Sequence, residues 1–579
     1  MLDFDKIKQE GLTLDLQAVA DRGYSALSPD DYYRLKTYGV CTQRHEGYFM
    51  IRVRVPHGRC DADQLRTLAD AADRHANGWL HVTTRQDVQL HSVKLDDVPA
   101  LLSELEAVGL TTRSSCGHTF RNIMGCHRAG TCPNERTNVR PWVDLVSRFV
   151  TDHADRFNTT MPSRLNVFFG SCDTCMEHLQ INDIGLRAVS TPEGGGIAFE
   201  LWLGGSLGRA TPTVAVRYPA LIPPAEVLPT VFAVAELHAT CSNRHPYQGR
   251  LKYTLAKLGA DVFFDHLGQK ISEVQETKDF SIYNLPHDQG AEPRQPEQNA
   301  IPADDLPPGC EPQAEPGAFR VRGMITRGDL TSRQFRGLAD LVETCSERWL
   351  QWTPQQNVEV PNVRREHLET VAERLRALGI RPGADRTLGD VLTCPGTEYC
   401  KLAITASPVA AATLQSHLPD ELSDDPLIRQ VRIHISGCMN SCAQHQVADI
   451  GLSGSMTAHR QTKRFTYQLW LGAYLDARPE ASRVGRVCRR GITDEQLVPL
   501  VVALLELYRD QRRPGEPFHA AVDRVGVDAF AEQLAGVCPL TPSDELVDVP
   551  MEARPTQEPL TRDRLSLPVA EMTGLPIVS

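Results

Sequence analysis

The chain repeats itself, and this repeat constrains the fold more than any other feature of the sequence. The segments FMIRVRVPHGRCDADQLRTLAD from Phe49 and FRVRGMITRGDLTSRQFRGLAD from Phe319 match at a constant offset of 270 residues. Farther along, SCDTCMEHLQINDIGL from Ser171 matches GCMNSCAQHQVADIGL from Gly437. A single hydrophobic core stops growing at about 250 to 300 residues, so a long chain is expected to divide. The sequence therefore predicts two homologous halves.

Each half alternates strand-like and helix-like segments. β-Branched residues alternate at Ile51, Val53 and Val55, and a helical stretch and a second strand-like run follow. This pattern predicts α+β halves. Residues 284–317 between the halves are rich in Pro, Asp, Glu and Gln, and residues 541–579 are rich in Pro and acidic residues. Such segments bury little apolar surface, so a linker and an extended C-terminal tail are predicted.

Composition excludes several classes of function. A formal net charge of -12 argues against nucleic acid as a general partner, because phosphate binding needs a basic footprint. No apolar run approaches the roughly 18 residues of a membrane span, and the N-terminus shows no secretory signal, so a cytoplasmic protein without a membrane partner is expected. Its 16 cysteines are then expected to be metal ligands rather than a disulfide framework.

Two pairs of cysteines in the second half carry the strongest chemical signal. TCPGTEYCKL separates Cys394 from Cys400 by five residues, and SGCMNSCAQH separates Cys438 from Cys442 by three. Thiolates are the usual ligands of iron-sulfur centres, and two loops that meet in space supply four of them. Zinc is the alternative metal, although its sites mostly show shorter gaps in both pairs. Four buried cysteines without a ligand are a further alternative.

TCPGTEYCKLAI together with ISGCMNSCAQHQVADIG resembles the cluster signature of the siroheme-dependent nitrite and sulfite reductase family. The resemblance implies an α+β fold of two pseudo-symmetric halves, each with a ferredoxin-like half-domain and an α/β siroheme and iron-sulfur domain. It implies a 4Fe-4S cluster on the four cysteines, with Cys442 also the axial ligand of siroheme. The corresponding ranges are 1–110 and 111–283 in the first half, the linker 284–317, 318–385 and 386–540 in the second half, and the tail 541–579.

The resemblance also implies roles for residues of the first half. Arg52 in FMIRVRVP and Arg121 in FRNIMG fall at positions that face the substrate in the family. The motif TTRQDVQLH supplies the residues expected at the siroheme rim, which are Thr83, Arg85, Gln89 and His91. For His91, a purely structural hydrogen-bonded role is the alternative. A densely cationic pocket is expected because siroheme carries many carboxylates and the substrate is an anion.

Two departures from the family pattern concern the same site. The family offers two lysines after a proline, whereas MPSRLNV places Arg164 and Asn166 there. Arg164 keeps the charge but does not release protons, and Asn166 resembles the nitrite-reducing branch. Cys41 stands where some relatives have a tyrosine cross-linked to a cysteine that matches Cys116. That cross-link cannot form; two unconnected buried thiols are expected instead, with a contact between Cys41 and Cys116 as the alternative.

The first half repeats the cysteine pattern incompletely. Cys126 and Cys132 keep the five-residue gap, Cys172 aligns with Cys438, and Cys175 precedes the position opposite Cys442. These four residues form the hypothesis of a second metal or iron-sulfur site. Relic or incidental thiols left by the duplication are the alternative.

Electrons are expected to come from another protein. The chain has no GxGxxG after a strand and no Walker motif, so neither a nicotinamide nor a flavin domain is evident. A ferredoxin is the expected donor and a separate flavoprotein the alternative. The resemblance implies six-electron reduction of nitrite to ammonia, with sulfite reduction to sulfide as the runner-up. An iron-sulfur monooxygenase of cobalamin synthesis and an iron-sulfur carrier or redox sensor are the remaining alternatives.

Overall fold

The structure is a computed structural model of the chain. It describes residues 3–173, 176–191, 196–208, 211–245, 248–283, 285, 306–383, 388–459, 462–476, 478, 481–538 and 545–546. Within these residues, no helix has both the length and the apolar character that a membrane crossing requires.

Two of the four sheets formed by the described residues come from the repeated N-terminal segment of each half. One sheet has the strand order β1 (Val40–Thr42), β2 (Tyr48–Val53), β5 (Val88–Lys94), β4 (Trp79–Val82) and β13 (Asp329–Thr331). The other has the order β11 (Cys310–Pro312), β12 (Ala318–Met324), β15 (Val358–Arg364), β14 (Trp349–Trp352) and β3 (Arg59–Asp61), with β16 (Arg381–Pro382) beside β12.

The two halves exchange a strand. β3 of the first half pairs with β14 of the second, and β13 of the second half pairs with β4 of the first. Leu330 in β13 lies opposite Leu80, and both side chains are buried. Each exchanged strand leads directly into a helix with a capping box, which begins at Asp61 in one half and Thr331 in the other. The exchange makes each ferredoxin-like sheet depend on the other half.

The helices of these two regions lie over the sheets and share one core. They are α1 (Phe4–Glu10), α2 (Leu16–Arg22), α3 (Pro29–Thr37), α4 (Ala62–His75) and α5 (Val98–Ala107), then α12 (Ser332–Cys345) and α13 (Leu368–Ala377). α4 and α12 pack side by side, with Arg66 donating to Asp340 at 2.8 Å. Residues from both halves form a single hydrophobic cluster, because each sheet has one apolar face to bury.

The other two sheets are mixed and follow the same plan as each other. The first has the order β10 (Val216–Ile222), β9 (Ile197–Leu203), β8 (Ile184–Ser190), β7 (Leu165–Gly170) and β6 (Phe120–Gly125). The second has the order β17 (Leu392–Thr393), β18 (Ile433–Ser436), β19 (Ile450–His459), β20 (Thr462–Leu471) and β21 (Arg486–Ile492). In each, two parallel pairings are followed by antiparallel ones.

Helices cover each mixed sheet and give it a core of its own. Those of the first half are α6 (Arg140–Asp152), α7 (Ala154–Thr160), α8 (Met176–Gln180), α9 (Val227–Cys241), α10 (Leu251–Leu258) and α11 (Ala260–Thr277). Those of the second half are α14 (Gly396–Tyr399), α15 (Ser407–His417), α16 (Asp420–Ser423), α17 (Asp494–Gln511), α18 (Phe518–Val525) and α19 (Val527–Gln533). The α+β fold of two repeated halves is thus confirmed.

Two boundaries differ from the sequence prediction. β11 lies inside the predicted linker 284–317, so the ordered second half begins before Gly317 and that end of the linker was wrong. Its three residues are too few for a period-two pattern to stand out. Within the predicted tail, Glu545 and Leu546 form β22 on the edge of β19. Residue 284, residues 286–305 and the rest of the tail lie outside the described residues.

Candidate cluster and oxyanion site

The two cysteine loops of the second half touch each other through glycines. Cys394 follows β17, and the loop with Cys438 follows β18, so both lie at the same edge of one parallel sheet. The Gly437 amide donates to Cys394 Sγ at 3.2 Å. A Cβ on Gly437 would lie 3.2 Å from the Gly396 Cα and 2.9 Å from the Thr405 carbonyl oxygen. This close approach requires glycine and holds the loops together.

The four thiols act on one another electrostatically. Burial, then the neighbouring Cys394 and Cys400, raises the pKa of Cys442 to about 12. The same causes raise the pKa of Cys438 and Cys400. Ionisation of Cys400, Cys438 and Cys442 is thus disfavoured in the protein alone, and a shared cationic centre would bind the cysteines as thiolates. No group of three or more described His, Cys, Asp or Glu side chains converges on a single metal ion.

Cys442 faces the first half of the chain. The Cys442 residue is solvent-accessible, and yet the surrounding protein has the largest effect on its pKa. Cys442 therefore lies at a recess of the protein rather than on an open surface. The positively charged Arg164 and Arg52 lower its pKa, which places both arginines close to the thiol. The Thr84 hydroxyl donates to the Cys442 carbonyl at 2.9 Å. A cation-rich surface of one half therefore meets the cysteine loops of the other.

The first half also holds the Cys394–Cys400 loop. Arg44 donates to the carbonyl oxygens of Cys400 at 3.1 Å and Ala403 at 2.8 Å, and its own amide donates to Tyr399. The His91 ring stacks on Tyr399 with centroids 4.2 Å apart. His91 is buried and, among the described residues, neither ring nitrogen has a partner. Burial accordingly lowers the pKa of His91 to about 3.

The recess at Cys442 is lined by guanidinium groups from several strands and loops, and two buried carboxylates, Asp87 and Asp183, face them. The cations are Arg52, Arg54, Arg85, Arg121, Arg164 and Arg250. Of these six arginines, Arg52, Arg54, Arg85 and Arg121 each have a buried guanidinium nitrogen without a hydrogen-bond partner among the described residues. Unpaired buried donors are costly, so this surface suits an anionic ligand.

Three of the predicted anion-facing residues lie on or next to three different elements. Arg52 lies on β2 and contacts Asp87 at 3.5 Å, and Arg121 lies on β6. Arg164 immediately precedes β7 and is solvent-accessible. Arg250 beside it, then burial, lowers the Arg164 pKa well below its usual range. The sequence prediction thus placed Arg52, Arg121 and Arg164 on one surface, but it missed Arg250.

Asn166 differs from its counterpart in the second half in an informative way. The backbone amide of Asn166 donates to the Asp183 carboxylate at 2.9 Å, and the Arg250 guanidinium donates to the same carboxylate at 2.7 and 3.2 Å. In the second half Arg432 occupies the Asn166 position and itself binds Asp449 at 2.9 Å. Because Arg250 supplies this cation from another loop, the first half leaves a small neutral side chain beside the guanidinium groups.

The predicted rim residues lie on the turn between β4 and β5, which carries Thr83 and Arg85, and on β5 itself, which carries Gln89 and His91. The Thr83 hydroxyl accepts from the Arg85 and Asp87 amides at 3.2 Å each, so it orders the turn. Arg85 donates to Asn182 at 3.0 Å and to the Asn122 carbonyl at 2.8 Å. Gln89 is buried on β5 opposite Arg52. Arg85 is thus held by protein groups that its motif did not reveal.

The equivalent position in the second half is closed by the protein's own charges. Arg322 corresponds to Arg52, but Glu359 stands where the first half has Gln89. Arg322 donates two hydrogen bonds to Glu359, at 2.7 and 3.1 Å, and both side chains are buried. Because Glu359 binds Arg322 at a shorter distance than Asp87 binds Arg52, the Arg322 guanidinium is less available to an anion than that of Arg52.

The expectation of two unconnected thiols at Cys41 and Cys116 was wrong. The side chains are hydrogen-bonded to each other, and Cys41 is half-buried rather than buried. The contact joins β1 to the loop before β6, and the two cysteines are 75 positions apart in the sequence. No local pattern reveals a contact over such a separation.

The first-half cysteines are partly described. Cys126, Cys132 and Cys172 are buried in one core, and Cys132 and Cys172 are hydrogen-bonded to each other. Cys175, the fourth residue of the predicted second site, lies outside the described residues.

Four cysteines beside a surface of guanidinium groups suit the class of iron-sulfur proteins that act on anions, and the comparisons with known proteins give the family. Residues 42–108 and 311–378 match the nitrite/sulfite reductase ferredoxin-like half domain. Residues 116–274 and 384–537 match the nitrite and sulphite reductase 4Fe-4S domain. The chain belongs to the nitrite and sulfite reductase family and is an oxidoreductase, which sets aside the electron-carrier alternative. Family membership also implies an iron-sulfur cluster and siroheme as its class of cofactors.

Relatives from three kinds of organism are similar over most of the chain. The assimilatory ferredoxin-dependent nitrite reductase of Haloferax mediterranei is 29% identical over 90% of both chains. The chloroplastic ferredoxin–nitrite reductase of Zea mays is 30% identical, over 83% of this chain and 82% of its own. A sulfite reductase [ferredoxin] of Mycolicibacterium paratuberculosis is 27% identical, over 89% and 93%.

The fold has a solved counterpart. The structure of the Mycobacterium tuberculosis NirA protein superposes with a TM-score of 0.76 at 25% sequence identity. The similarity covers 91% of this chain and 97% of that one. The arrangement of the four sheets therefore agrees with an independently solved member of the fold.

Proposed function

We propose that this protein reduces nitrite to ammonium with ferredoxin as the electron donor. Nitrite takes up six electrons and eight protons and yields ammonium and two water molecules. The observation that carries the proposal is the contact between the Cys442 loop and the first half of the chain: the Thr84 hydroxyl donates to the Cys442 carbonyl at 2.9 Å, and the charges of Arg164 and Arg52 act on the Cys442 thiol. The relatives named as ferredoxin-dependent nitrite reductases support both the substrate and the donor.

Cys394, Cys400, Cys438 and Cys442 would hold the 4Fe-4S cluster, and Cys442 would also ligate siroheme. When bound, these groups supply one-electron transfers and an iron at which the anion is reduced. The donor set fits them, because the thiols are mutually coupled and buried arginine donors face the space beside Cys442. Arg85, Gln89 and His91 would line the siroheme rim, and Thr83 would keep their turn in place.

The arginines bind and orient the anion in this proposal. Arg52, Arg121 and Arg164 converge from three elements, and each guanidinium donates charge-assisted hydrogen bonds to oxygens. A guanidinium does not release protons, so it holds the substrate while water delivers the protons. Asn166 keeps this side of the pocket neutral and small, which suits a monoanion.

Sulfite remains the second candidate substrate because a sulfite reductase is also among the relatives. Sulfite in its dianionic form needs more compensating charge than nitrite. Asn166 adds no positive charge at a position where a lysine would, and the Asp183 carboxylate offsets the charge of Arg250. The lower positive charge on that side of the site favours nitrite. The cytoplasmic location stays a prediction from the sequence.

The test is anaerobic spectroscopy and turnover with both anions. Wild-type protein is titrated with nitrite and with sulfite, and reduced ferredoxin serves as the donor in the assays. We expect a tetrapyrrole spectrum that shifts at lower nitrite than sulfite concentration. Arg121→Met is expected to lower kcat/KM about 10- to 100-fold, the effect of losing hydrogen bonds to a charged group of about 1.5 to 3 kcal/mol.

The matched control is Arg113→Met, since Arg113 stacks on Tyr38 and pairs with Asp155. Its kcat/KM should stay within about twofold, because exposed charges contribute little. Preferential turnover of sulfite would transfer the proposal to sulfite reduction. A protein without tetrapyrrole absorption would contradict it and favour the monooxygenase alternative.

We also propose the first-half cysteines as a second metal or iron-sulfur site. The contact between Cys132 and Cys172 within one core, next to the buried Cys126, supports this hypothesis. Quantitation of iron and zinc per chain tests it. Iron equal to one 4Fe-4S cluster plus one siroheme iron, without zinc, would contradict the second site.

A further inference from the structure

The loop that carries Cys394 and Cys400 is fastened to the first half of the chain by Arg44. The guanidinium nitrogen Nη2 of Arg44 donates to the carbonyl oxygens of Cys400 at 3.1 Å and Ala403 at 2.8 Å. The backbone amide of Arg44 donates to the Tyr399 carbonyl at 2.7 Å. One residue of the first half therefore contacts the loop before, at and after the position of a proposed cluster ligand.

Neighbouring contacts fix the backbone that carries Arg44. The Gln43 side chain accepts from the Ser92 amide at 3.1 Å, which ties the end of β1 to β5. Next to Ser92, the His91 ring stacks on Tyr399 with centroids 4.2 Å apart. Arg44 itself is half-buried. The position of its guanidinium is therefore set by ordered strands on one side and by the cysteine loop on the other.

The repeat supplies an internal comparison for Arg44. Ala314 occupies the equivalent position in the second half, at the offset of 270 residues. The Ala314 amide donates to the Thr131 carbonyl at 3.0 Å, just as the Arg44 amide donates to the Tyr399 carbonyl. Both copies therefore keep the backbone contact to the cysteine loop of the opposite half. Since alanine is sufficient for that contact, the guanidinium opposite the complete set of four cysteines needs a different reason.

We propose that Arg44 is a positioning residue that raises the reduction potential of the 4Fe-4S cluster proposed at the four cysteines of the second half. This inference rests on the proposed function, in which ferredoxin supplies one electron at a time. Each electron makes the cluster more negative, and the charge and hydrogen bonds around such a cluster set its potential. A positive charge fastened to the Cys400 loop stabilises the reduced form, so it favours electron uptake from the donor.

The charge and the hydrogen bonds of Arg44 act in the same direction. The guanidinium offsets the negative ends of the Cys400 and Ala403 carbonyls, which lie on the loop of the proposed ligand. An opposite charge close to an ionised group changes its equilibrium by about one to three powers of ten. These hydrogen bonds go to carbonyl oxygens, so the lower end of that range is expected. A tenfold change for one electron corresponds to about 59 mV.

The test is an anaerobic redox titration of the cofactor-loaded protein, read by electron paramagnetic resonance of the reduced cluster. Arg44→Met removes the charge and the hydrogen bonds, Arg44→Gln keeps an N–H donor without the charge, and Arg44→Lys keeps the charge. Asn77→Ala is the matched control, because Asn77 donates to the Tyr399 hydroxyl at 3.0 Å and holds the same loop without a charge. Arg113→Met controls for the loss of a positive charge elsewhere. Hydrogen exchange in peptides from residues 394–403 measures the order of the loop in each variant.

We expect a reduction potential about 59 mV lower in Arg44→Met and Arg44→Gln, which is a tenfold weaker uptake of one electron. Arg44→Lys and both controls should stay within about twofold of the wild-type equilibrium, because they keep the charge at the loop. A wild-type potential in both neutral Arg44 variants would overturn the proposal. An equal fall in Asn77→Ala would assign the effect to loop order, and an equal fall in Arg44→Lys or Arg113→Met would also refute the role of this charge.

Two features of the design keep the result decisive. Arg44→Gln and Arg44→Lys both retain a donor to the loop carbonyls, so their comparison still tests the charge if Arg44→Met does not assemble the cluster. The titration uses no nitrite. A wild-type protein that holds the cluster but does not turn over nitrite would therefore refute the proposed function separately from the role of Arg44.

Discussion

Substitution of Asp183 by asparagine tests whether the carboxylate holds the anion-binding surface together. Asp183 is fully buried, accepts from Arg250 at 2.7 and 3.2 Å, and accepts from the Asn166 amide at 2.9 Å. Breaking a buried ion pair at one partner costs about 3 to 5 kcal/mol. An asparagine oxygen still accepts one hydrogen bond, worth about 1 kcal/mol, so Asp183→Asn should cost about 3 kcal/mol.

Native-state hydrogen exchange read by mass spectrometry measures this effect locally. The affected strand is β7, whose first residues carry the Asn166 amide. A loss of about 3 kcal/mol in opening free energy corresponds to exchange about 100-fold faster in peptides from residues 165–170. Peptides from β18, the equivalent strand of the second half, should exchange as in the wild type.

Asp449→Asn is the matched control, because Asp449 binds Arg432 at the equivalent position. It should accelerate exchange in β18 and leave β7 unchanged. Asp183→Asn should also tighten nitrite binding, since Arg164 and Arg250 lose the carboxylate that faces them. Less than tenfold faster exchange in β7 would refute the assignment of Asp183 as the group that fastens this surface.

Three further predictions address the backbone, pH and the strand exchange. Gly39→Ala forces a Cβ against Thr112, so it should lower the free energy of unfolding by about 2 kcal/mol or more and impair nitrite turnover. The control Gly11→Ala, whose Cβ enters open space at φ +103°, should lower the free energy of unfolding by only about 1 kcal/mol. Thermal unfolding and steady-state kinetics measure both variants, and equal losses of stability would contradict the clash at Gly39. Burial lowers the pKa of His238 to about 4, below its value of about 6.5 in the unfolded chain. The contribution of neutral His238 to the free energy of unfolding is therefore complete above about pH 6.5 and is lost as pH falls toward about 4, by about 1.4 kcal/mol per pH unit. His238→Gln should flatten the pH dependence of the urea midpoint across that window, and an unchanged slope would refute the assignment. Leu330→Ala truncates a buried side chain in the exchanged strand and should lower stability by about 2 to 4 kcal/mol, with a melting temperature within 1 °C of wild type as the contradicting result.

Patterns in the sequence were sufficient to predict the two halves and the strand-like segments. The offset of 270 residues predicted two halves, and the paired gaps of Cys394, Cys400, Cys438 and Cys442 predicted one shared site. The alternation that includes Ile51 and Val53 predicted a strand, and β2 shows the corresponding alternation of buried and half-buried side chains. The strand pattern and the gap within each cysteine pair are set by residues within a few positions of one another, whereas the repeat is a direct comparison of two segments and needs no knowledge of contacts.

The contacts between distant segments were not predictable in the same way. Two hydrogen bonds join residues more than 350 positions apart: Arg44 donates to the Cys400 carbonyl, and Thr84 donates to the Cys442 carbonyl. The exchange of β3 and β13 between the sheets leaves no trace in a period-two pattern. The match between Asn166 and Arg432 was available from the repeat, and it would have indicated that another cation is needed for Asp183.

A duplicated fold needs a physical reason to use only one of its two equivalent sites, and the charges provide one. In the second half Glu359 neutralises Arg322 inside the protein, at the position where the first half has the neutral Gln89. The first half thereby keeps cationic donors that the protein does not satisfy, while the complete set of four cysteines lies in the second half. Because the strand exchange holds the halves face to face, the cations of one copy meet the thiols of the other. Specialisation of the two copies in opposite directions therefore produces one site that neither copy contains alone.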